Sequence, residues 1–373
     1  MTSHPQPTVA LVGPFPPPYG GMGVYFSAIE AGVRQDGMQP LRVPVPYAGV
    51  GGWRRDLGRV VTFIRAALTV LFRRPDVVHC VTGSQPNLIG NILPLVAAQL
   101  VGRPSVLSIA GGEFHTAVRG YRGTRLRLVR FILTRPQLVV ACTEEIAVAL
   151  HEVGVQESRV VTLSNALPLR LDPRAGQQLP RQVAEFADSH QPLVTSISGW
   201  YSLYGSQDLI EAVDRLREAY PRLGLVLMVK AGGDAAFRSE LLGQVSRAGL
   251  CDAVMVREDE RAVFPILRRA DAFVRTPRHE GDAISVREAL AVGTPVVASD
   301  VGFRPSAVRC YRPADPRDLA AQLGAVLTGR PAGGAVNGLD PAEGERNLKF
   351  LLSAYRRLAG SSAPDRRYED ATT

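Results

Sequence analysis

The chain has 373 residues, 46% of them hydrophobic and spread along its whole length, with a formal net charge of +8. It is too long for one ordinary domain and suits two α/β domains, each able to bury a sizeable core. Cys80, Cys142, Cys251 and Cys310 are scattered without paired spacing, which argues against a disulfide framework or a zinc site and suits a reducing compartment.

Met1 to Pro7 is polar and the apolar run Val9 to Val12 is short, so no secretory signal is expected and the expected location is cytoplasmic. No stretch offers the roughly 18 uncharged apolar residues of a membrane span. The net charge sits entirely on the N-terminal half. Up to Arg170 there are 17 arginines, no lysine and 9 acidic residues, while beyond it 26 basic and 26 acidic residues balance. Such a field attracts anionic partners.

Thr8 to Gly13 reads as a buried strand, followed by a Pro- and Gly-rich loop and a helix over Val24 to Gln35 that Gly37 closes. Next come a strand near Leu41 to Pro46, a helix over Asp56 to Phe72 and a strand over Asp76 to Val81. A helix near Pro86 to Leu100, a strand over Ser105 to Ala110, a helix near Thr124 to Leu133 and a strand over Gln137 to Cys142 follow, and Thr143 opens a helix to Val153. Leu167 to Pro192 breaks the alternation with Pro, Gln and Arg, apart from a helical stretch near Gln182 to Ser189.

The alternation restarts with strands at Leu193 to Ser198, Gly224 to Val229, Ala253 to Val256, Asp271 to Val274 and Pro295 to Ser299. Helices at Ser206 to Ala219, Ala235 to Ala248, Ala262 to Arg269 and Ser285 to Val292 separate them, and Pro316 to Leu327 and Ala342 to Leu358 close the chain. Apolar strands alternating with helices define the α/β class, with parallel sheets covered on both faces. The expected organisation is a first domain over 1–168, a linker over 169–192 and a second domain over 193–340. A C-terminal helix over 341–360 is expected to pack back towards the first domain, ahead of a disordered tail over 361–373.

Ligands of open parallel sheets bind beyond the carboxyl ends of the strands. Three loops in such places carry chemistry. In the first, Pro14 to Gly23, Gly20 and Gly21 suit either backbone contact with a phosphate or sugar, or a plain tight turn. The prolines precede the glycines, so this is not a dinucleotide fingerprint. The second, Ala110 to His115, puts Glu113 and His115 at a loop after a strand. The third runs from Arg278 to Ser299. There Glu280 precedes Gly281, Asp282 and Ala283, a helix starts near Ile284, and Glu288 follows in its second turn. The N–H groups of Ala283, Ile284 and Ser285 suit a diphosphate, and Glu288 suits a pair of ribose hydroxyls.

This third stretch resembles the signature of glycosyltransferase family 4: a Glu, seven residues, a second Glu, a small-residue helix, a Gly-x-Pro turn (Gly293 to Pro295) and a Val-Val-Ala-Ser strand. Gly20-Gly21 is similar to that family's N-terminal glycine loop, and Gly199 to Gly205 stands where it carries a Gly-Arg…Lys-Gly phosphate loop. The resemblance implies a GT-B fold, with two Rossmann-like doubly wound parallel-sheet domains facing a central cleft. It further implies retaining, metal-independent transfer of a sugar from a nucleotide diphosphate sugar, with no cofactor. By the same resemblance Glu280 contacts the donor sugar hydroxyls, Glu288 the ribose, and His115 lies at the sugar's reacting face. Gly20, Gly21, Gly199, Tyr204, Lys230, Gly281, Asp282, Ala283, Ile284 and Ser285 complete the donor set.

The chain departs from that pattern. Trp200 and Tyr204 stand where the family carries Arg and Lys, and Gly281-Asp282-Ala283 replaces Gly-Phe-Gly. Each charge-assisted hydrogen bond is worth roughly 1.5–3 kcal/mol, so either Lys230, Arg275 or Arg278 compensates or the donor is bound by another geometry. Tyr204-Gly205 also resembles bacterial polysaccharide-assembly members.

Arginines interleave with apolar residues over Arg119 to Ile132 and over Arg54 to Arg74. Basic flanks on apolar helices suit either an interfacial helix on anionic lipid or an ordinary solvated face. The expected partners are therefore a nucleotide-sugar donor, a glycan or lipid-linked acceptor, and an anionic membrane surface at the inner face of the cell membrane. Nucleic acid is not expected, because no aromatic platform accompanies the arginines. The alternatives are a nucleotide-sugar epimerase on the same fold and an inactive scaffold.

Overall fold

The structure, a computed structural model, describes residues 6–17, 19–45, 53–83, 85–166, 168–172, 174–329, 340 and 342–360. The expected tail over 361–373 lies outside them. The chain forms two compact units. The first holds the described residues up to Pro16, Met22–Leu171 and those from Gly344 on; the second holds Pro17–Gly21 and Asp172–Glu343.

In the first unit the strands are β1 (Thr8–Gly13), β2 (Gln39–Pro44), β3 (Val77–Thr82), β4 (Ser105–Ile109), β5 (Leu138–Ala141) and β6 (Val160–Thr162). They lie parallel in the order β2-β1-β3-β4-β5-β6. The helices are α1 (Gly21–Gln35), α2 (Trp53–Arg73), α3 (Gln85–Gly90), α4 (Ile92–Leu100), α5 (Phe114–Arg119), α6 (Gly123–Leu133) and α7 (Glu144–Val153). Alternate strand residues, Ala10 and Val12, Val78 and Cys80, Leu107 and Ile109, Val139 and Ala141, share one core with Phe63, Leu95, Ile132 and Ile146 of α2, α4, α6 and α7. The period of two in the strands thus meets the helical period of the covering layer.

The second unit carries α8 (Arg181–Ser189), β7 (Leu193–Trp200), α9 (Ser206–Leu216), β8 (Gly224–Gly233), α10 (Ala235–Arg247) and β9 (Val254–Glu258). It continues with α11 (Val263–Arg269), β10 (Ala272–Arg275), α12 (Ile284–Ala291), β11 (Val296–Ser299), β12 (Arg309–Tyr311) and α13 (Pro316–Leu327). Its sheet is parallel in the order β12-β11-β10-β7-β8-β9.

The last helix, α14 (Glu343–Gly360), belongs to the first unit apart from its opening residue. Its Leu348, Leu351, Tyr355 and Leu358 are buried. A Cβ on Gly32 of α1 would lie 2.8 Å from Leu348, so the two helices touch where α1 has no side chain. Tyr355 Oη meets His79 Nδ1 at 2.5 Å, and His79 Nε2 meets Ser108 Oγ at 2.8 Å. Burial holds the His79 imidazole neutral, its pKa lowered to about 3, so this network is made without charge.

Several elements differ from the sequence reading. The stretch read as a linker over 169–192 contains α8, whose Val183, Phe186 and Ala187 enter the second unit's core. The helical stretch near Gln182 to Ser189 is legible in the sequence; polar residues around its narrow apolar face hide only that it belongs to a core. β6 and β12 have three residues each, too few to show a period. β8 runs on to Gly233, which places Lys230 inside a strand rather than at its end. His115 lies on the short helix α5 rather than in a loop. None of the described helices is long and apolar enough to cross a membrane.

Tyr355→Ala removes a fully buried ring and leaves His79 Nδ1 without its hydroxyl partner. Its expected cost to the first unit is about 3–5 kcal/mol, read as a lowered urea midpoint; an unchanged midpoint would contradict the role given to α14.

Candidate functional site

In the second sheet β7 runs at the centre. From it the chain winds outward through β8 and β9 on one side, then returns to lay β10, β11 and β12 on the other. The strand order therefore reverses between β7 and β10, the place where open α/β sheets leave a crevice for ligand. Arg275 ends β10 there, and Gly199 and Trp200 end β7.

Arg275 spans the switch point. Its Nη1 donates to the Ile197 carbonyl of β7 at 2.5 Å, and its Nε donates to Glu280 Oε1 at 3.0 Å, with Nη2 on the same oxygen. The second Glu280 oxygen accepts from Arg304 Nη2 at 3.0 Å, while Arg304 Nε donates to the Ser299 carbonyl at 2.9 Å. Glu280 is thus held between two guanidiniums, each anchored to a strand carbonyl. Burial works against its charge, but Arg275 and Arg304 outweigh it and hold the carboxyl below its ordinary value. The loop carrying Arg304 closes on Glu280 through Gly302. With φ +64°, a Cβ there would stand 2.2 Å from the Glu280 carbonyl oxygen.

Gly281, Asp282 and Ala283 lead into α12, which begins at Ile284 with Ala283 as its extended N-cap and no side-chain cap. Ile284 and Ser285 are therefore the first residues of a helix end whose N–H groups have no intrahelical acceptor. Asp282 is buried and accepts from Arg287 Nε at 2.8 and 2.9 Å, and Arg287 Nη1 donates to Glu343 at 2.7 Å. Gly21 lies beside this turn: a Cβ on it would stand 3.6 Å from the Ile284 side chain. Gly20 is half-buried just ahead of it.

Glu288 is buried, and sequence reasoning did not foresee its partner. Its Oε1 accepts from Arg174 Nη2, and Arg174 also donates to Asp172 at 2.7 and 2.9 Å. Burial raises the Glu288 carboxyl above its ordinary value; Arg174 opposes that and Asp172 adds to it. Arg174 lay in the stretch read as a linker, where nothing marked it as part of a site.

The Gly199–Gly205 turn holds Trp200 and Tyr204 where cations are expected. Trp200 is buried in the core, its indole N–H donating to Glu258 at 3.0 Å. Tyr204 lies against Gly199, where a Cβ would come 2.7 Å from its ring. The Arg275 guanidinium stands 5.2 Å from the Tyr204 ring centroid, within cation–π reach. On the other side of β7, Lys230 is in register with Gly199. Burial, opposed by Asp259, lowers its pKa to about 8. Arg278 donates to Asp208 at 2.9 Å.

In the first unit, the carboxyl ends of β3 and β4 approach so closely that a Cβ on Gly111 would meet the Gly83 carbonyl oxygen at 2.2 Å. A hollow there is lined by Thr82, Gly83, Leu88, Ile109, Gly111 and Phe114. His115 follows Phe114 and is half-buried. No group of three or more His, Cys, Asp or Glu suited to a metal occurs among the described residues.

The second unit thus defines a doubly wound class of α/β protein, with a largely buried acid, flanking arginines and an uncapped helix end at a switch point. A family model described as glycosyl transferase 4-like domain matches residues 9–166, and one described as glycosyl transferases group 1 matches residues 191–329. The chain belongs to the family 4-type glycosyltransferases of the GT-B fold.

The lipopolysaccharide core biosynthesis mannosyltransferase LpsB of Rhizobium meliloti is 34% identical over 99 residues, 26% of this chain and 28% of the relative. The MMP alpha-(1->4)-mannosyltransferase of Mycolicibacterium hassiacum is 25% identical over 293 residues, 74% of this chain and 68% of the relative. Across these two, the match spans from 28% to 68% of the relative's length. Among solved structures, Anabaena Alr3699/HepE in complex with UDP-glucose has a TM-score of 0.68 at 16% identity, covering 92% of this chain and 99% of that one. At that identity the likeness is one of fold.

Arg174→Met leaves Asp172 and Glu288 buried without their counter-charge. The expected loss is about 3–5 kcal/mol in the second unit, measured by urea denaturation. Adding Glu288→Leu should recover part of it; an Arg174→Met midpoint equal to wild type would contradict the burial and pairing described.

Proposed function

We propose that this protein transfers a sugar, with retention of anomeric configuration and without a metal, from a nucleotide diphosphate sugar to a glycan or lipid-linked acceptor in cell-surface polysaccharide or glycoconjugate synthesis. The observation that carries the reading is the Glu280 carboxylate gripped by Arg275 and Arg304 beside the uncapped start of α12. A diphosphate needs fixed positive charge, and this site supplies it without the family's usual Arg and Lys.

In this reading the second unit binds the donor. The N–H groups of Ala283, Ile284 and Ser285 face the diphosphate, with Gly20, Gly21, Gly199 and Gly281 allowing close backbone approach. Arg275, steadied by Tyr204, together with Arg304 and Lys230, balances the charge that develops on the leaving diphosphate. Three guanidinium N–H groups already reach Glu280, so of a carboxylate's roughly four lone-pair sites one is left for a sugar hydroxyl. Glu288 turns its remaining capacity to the ribose, and Asp282 braces the turn through Arg287. The departing phosphate oxygen takes the acceptor proton, so no side chain serves as base. The first unit binds the acceptor, with His115 carrying the role at the reacting sugar that the resemblance assigns to it. The epimerase and scaffold readings have less support, since both curated relatives described above are named as mannosyltransferases.

Glu280→Gln keeps the shape but gives up the charge. Transfer should fall by about 10²–10³ in kcat while nucleoside diphosphate binding is retained; wild-type kcat would remove the assignment. Thermal-shift screening with uridine and guanosine diphosphate sugars should raise the melting temperature with at least one, and no shift with any would favour the scaffold.

Lys230 binds the diphosphate in its protonated form, so donor affinity should be level below its pKa of about 8 and decline as pH rises through it. Calorimetric titration across that range checks this. Lys230→Met should flatten the decline, and an unaltered profile would show that Lys230 is not the group responsible.

A further inference from the structure

The longest helix of the first unit is apolar on two sides. Phe63, Ala66 and Val70 of α2 are buried against the sheet's covering layer. On the opposite side Leu57, Val60, Val61, Ile64, Leu68 and Phe72 recur at spacings of three and four, and all are exposed, Leu57 by 57% and Phe72 by 81%. An ordinary surface helix carries one apolar stripe, and it faces the core. A second stripe held in water costs solvation and marks a surface that meets something apolar.

The stripe is not isolated. α2 packs along α4, and a Cβ on Gly90 of α3 would come 2.2 Å from the Phe63 ring, so α3 lies close beneath it. α4 exposes Leu100 by 74%. Arg135, just past α6, bonds Gln99 of α4 and lies 3.4 Å from the Phe131 ring centroid. Phe131 and Leu128 of α6 are themselves exposed. These helices cover one face of the first sheet, since all contribute to the same core.

The charge on this segment has one sign. From Leu57 to Arg135 there are 11 arginines, no lysine and two acidic residues, Asp76 and Glu113. Asp76 is already occupied by Arg103 at 2.9 Å and by the Thr8 N–H at 2.8 Å. Arg65, Arg73 and Arg74 on and after α2, and Arg122, Arg127 and Arg130 at α6, are exposed.

We propose that this face of the first unit docks on an anionic phospholipid bilayer, the α2 stripe entering the boundary between headgroups and acyl chains and the arginines of α2 and α6 meeting lipid phosphates. Either term alone holds a protein weakly; an apolar insertion joined to a basic patch is the combination that anchors reversibly. A second copy of the chain would bring arginines against arginines, and aliphatic side chains such as Val60, Ile64 and Leu68 offer no platform for stacked bases. This inference concerns the surface of the first unit and stands independently of the transfer reading.

The test is flotation of the full chain with vesicles of phosphatidylcholine alone or mixed with phosphatidylglycerol. Binding is expected to the mixed vesicles, to weaken as salt rises, and to drop at least tenfold in Leu68→Asp/Phe72→Asp and in Arg65→Gln/Arg127→Gln. These positions are exposed, so the melting temperatures should match wild type and show that the fold is intact. Absence of binding by the folded wild-type chain would overturn the proposal. So would equal binding of wild type and the Leu68→Asp/Phe72→Asp variant. A dimer in solution that this same variant dissociates would assign the stripe to a second copy instead, and would overturn it too.

Discussion

The arrangement at the centre of the second unit depends on one constraint: a carboxylate largely withdrawn from water at a sheet's switch point must be paired, or it will not stay ionised. Glu280 meets that constraint with two guanidiniums, and each guanidinium is fixed by a backbone carbonyl of a strand, Ile197 on β7 and Ser299 on β11. The clamp therefore ties together β10, the strand beside it on either side, and the turn leading into α12. One acid between two arginines leaves the cluster with an excess of positive charge, in a place where the fold also aims a helix end.

The turn after β7, from Gly199 to Gly205, carries no cation of its own. Trp200 is a core residue with its N–H committed to Glu258, and Tyr204 fills the space above Gly199. Neither stands in for a cation chemically. Arg275, at the end of the adjacent strand β10, has the Tyr204 ring as its neighbour. Gly205, at φ +63°, fits under the Thr276 carbonyl, where a Cβ would stand 2.1 Å from its oxygen, so the turn and the end of β10 are built against each other.

Much of this was legible in the sequence. The apolar runs at Thr8–Gly13 and Leu193–Ser198 and the Gly-x-Pro turn before Val296 mark strands and register, because burial on both faces leaves little freedom of composition. α13 was legible to the residue: Asp315 caps it and Pro316 opens it, a local signal that needs no tertiary context. α8 is legible as a helical stretch near Gln182 to Ser189, but not as part of the second unit's core, since its three core residues are diluted by Arg, Gln and Asp. Arg304 and Arg174 were also missed, for a common reason. In a chain so rich in arginine, those that close a buried network look like those on a solvated face, and only the fold brings them to Glu280 and Glu288 over 24 and 114 residues of chain. One signal was available for Arg304: it follows Gly302 in a loop beyond the carboxyl end of β11, where ligand-facing loops belong.

The most direct test of the account is a crystal structure of the chain with a bound uridine or guanosine diphosphate sugar. Diphosphate oxygens are expected within hydrogen-bond distance of the Ile284 and Ser285 N–H groups and of Arg275 or Arg304, with the sugar against Glu280. A nucleotide bound elsewhere, with the Arg275–Glu280–Arg304 clamp closed and untouched, would contradict it.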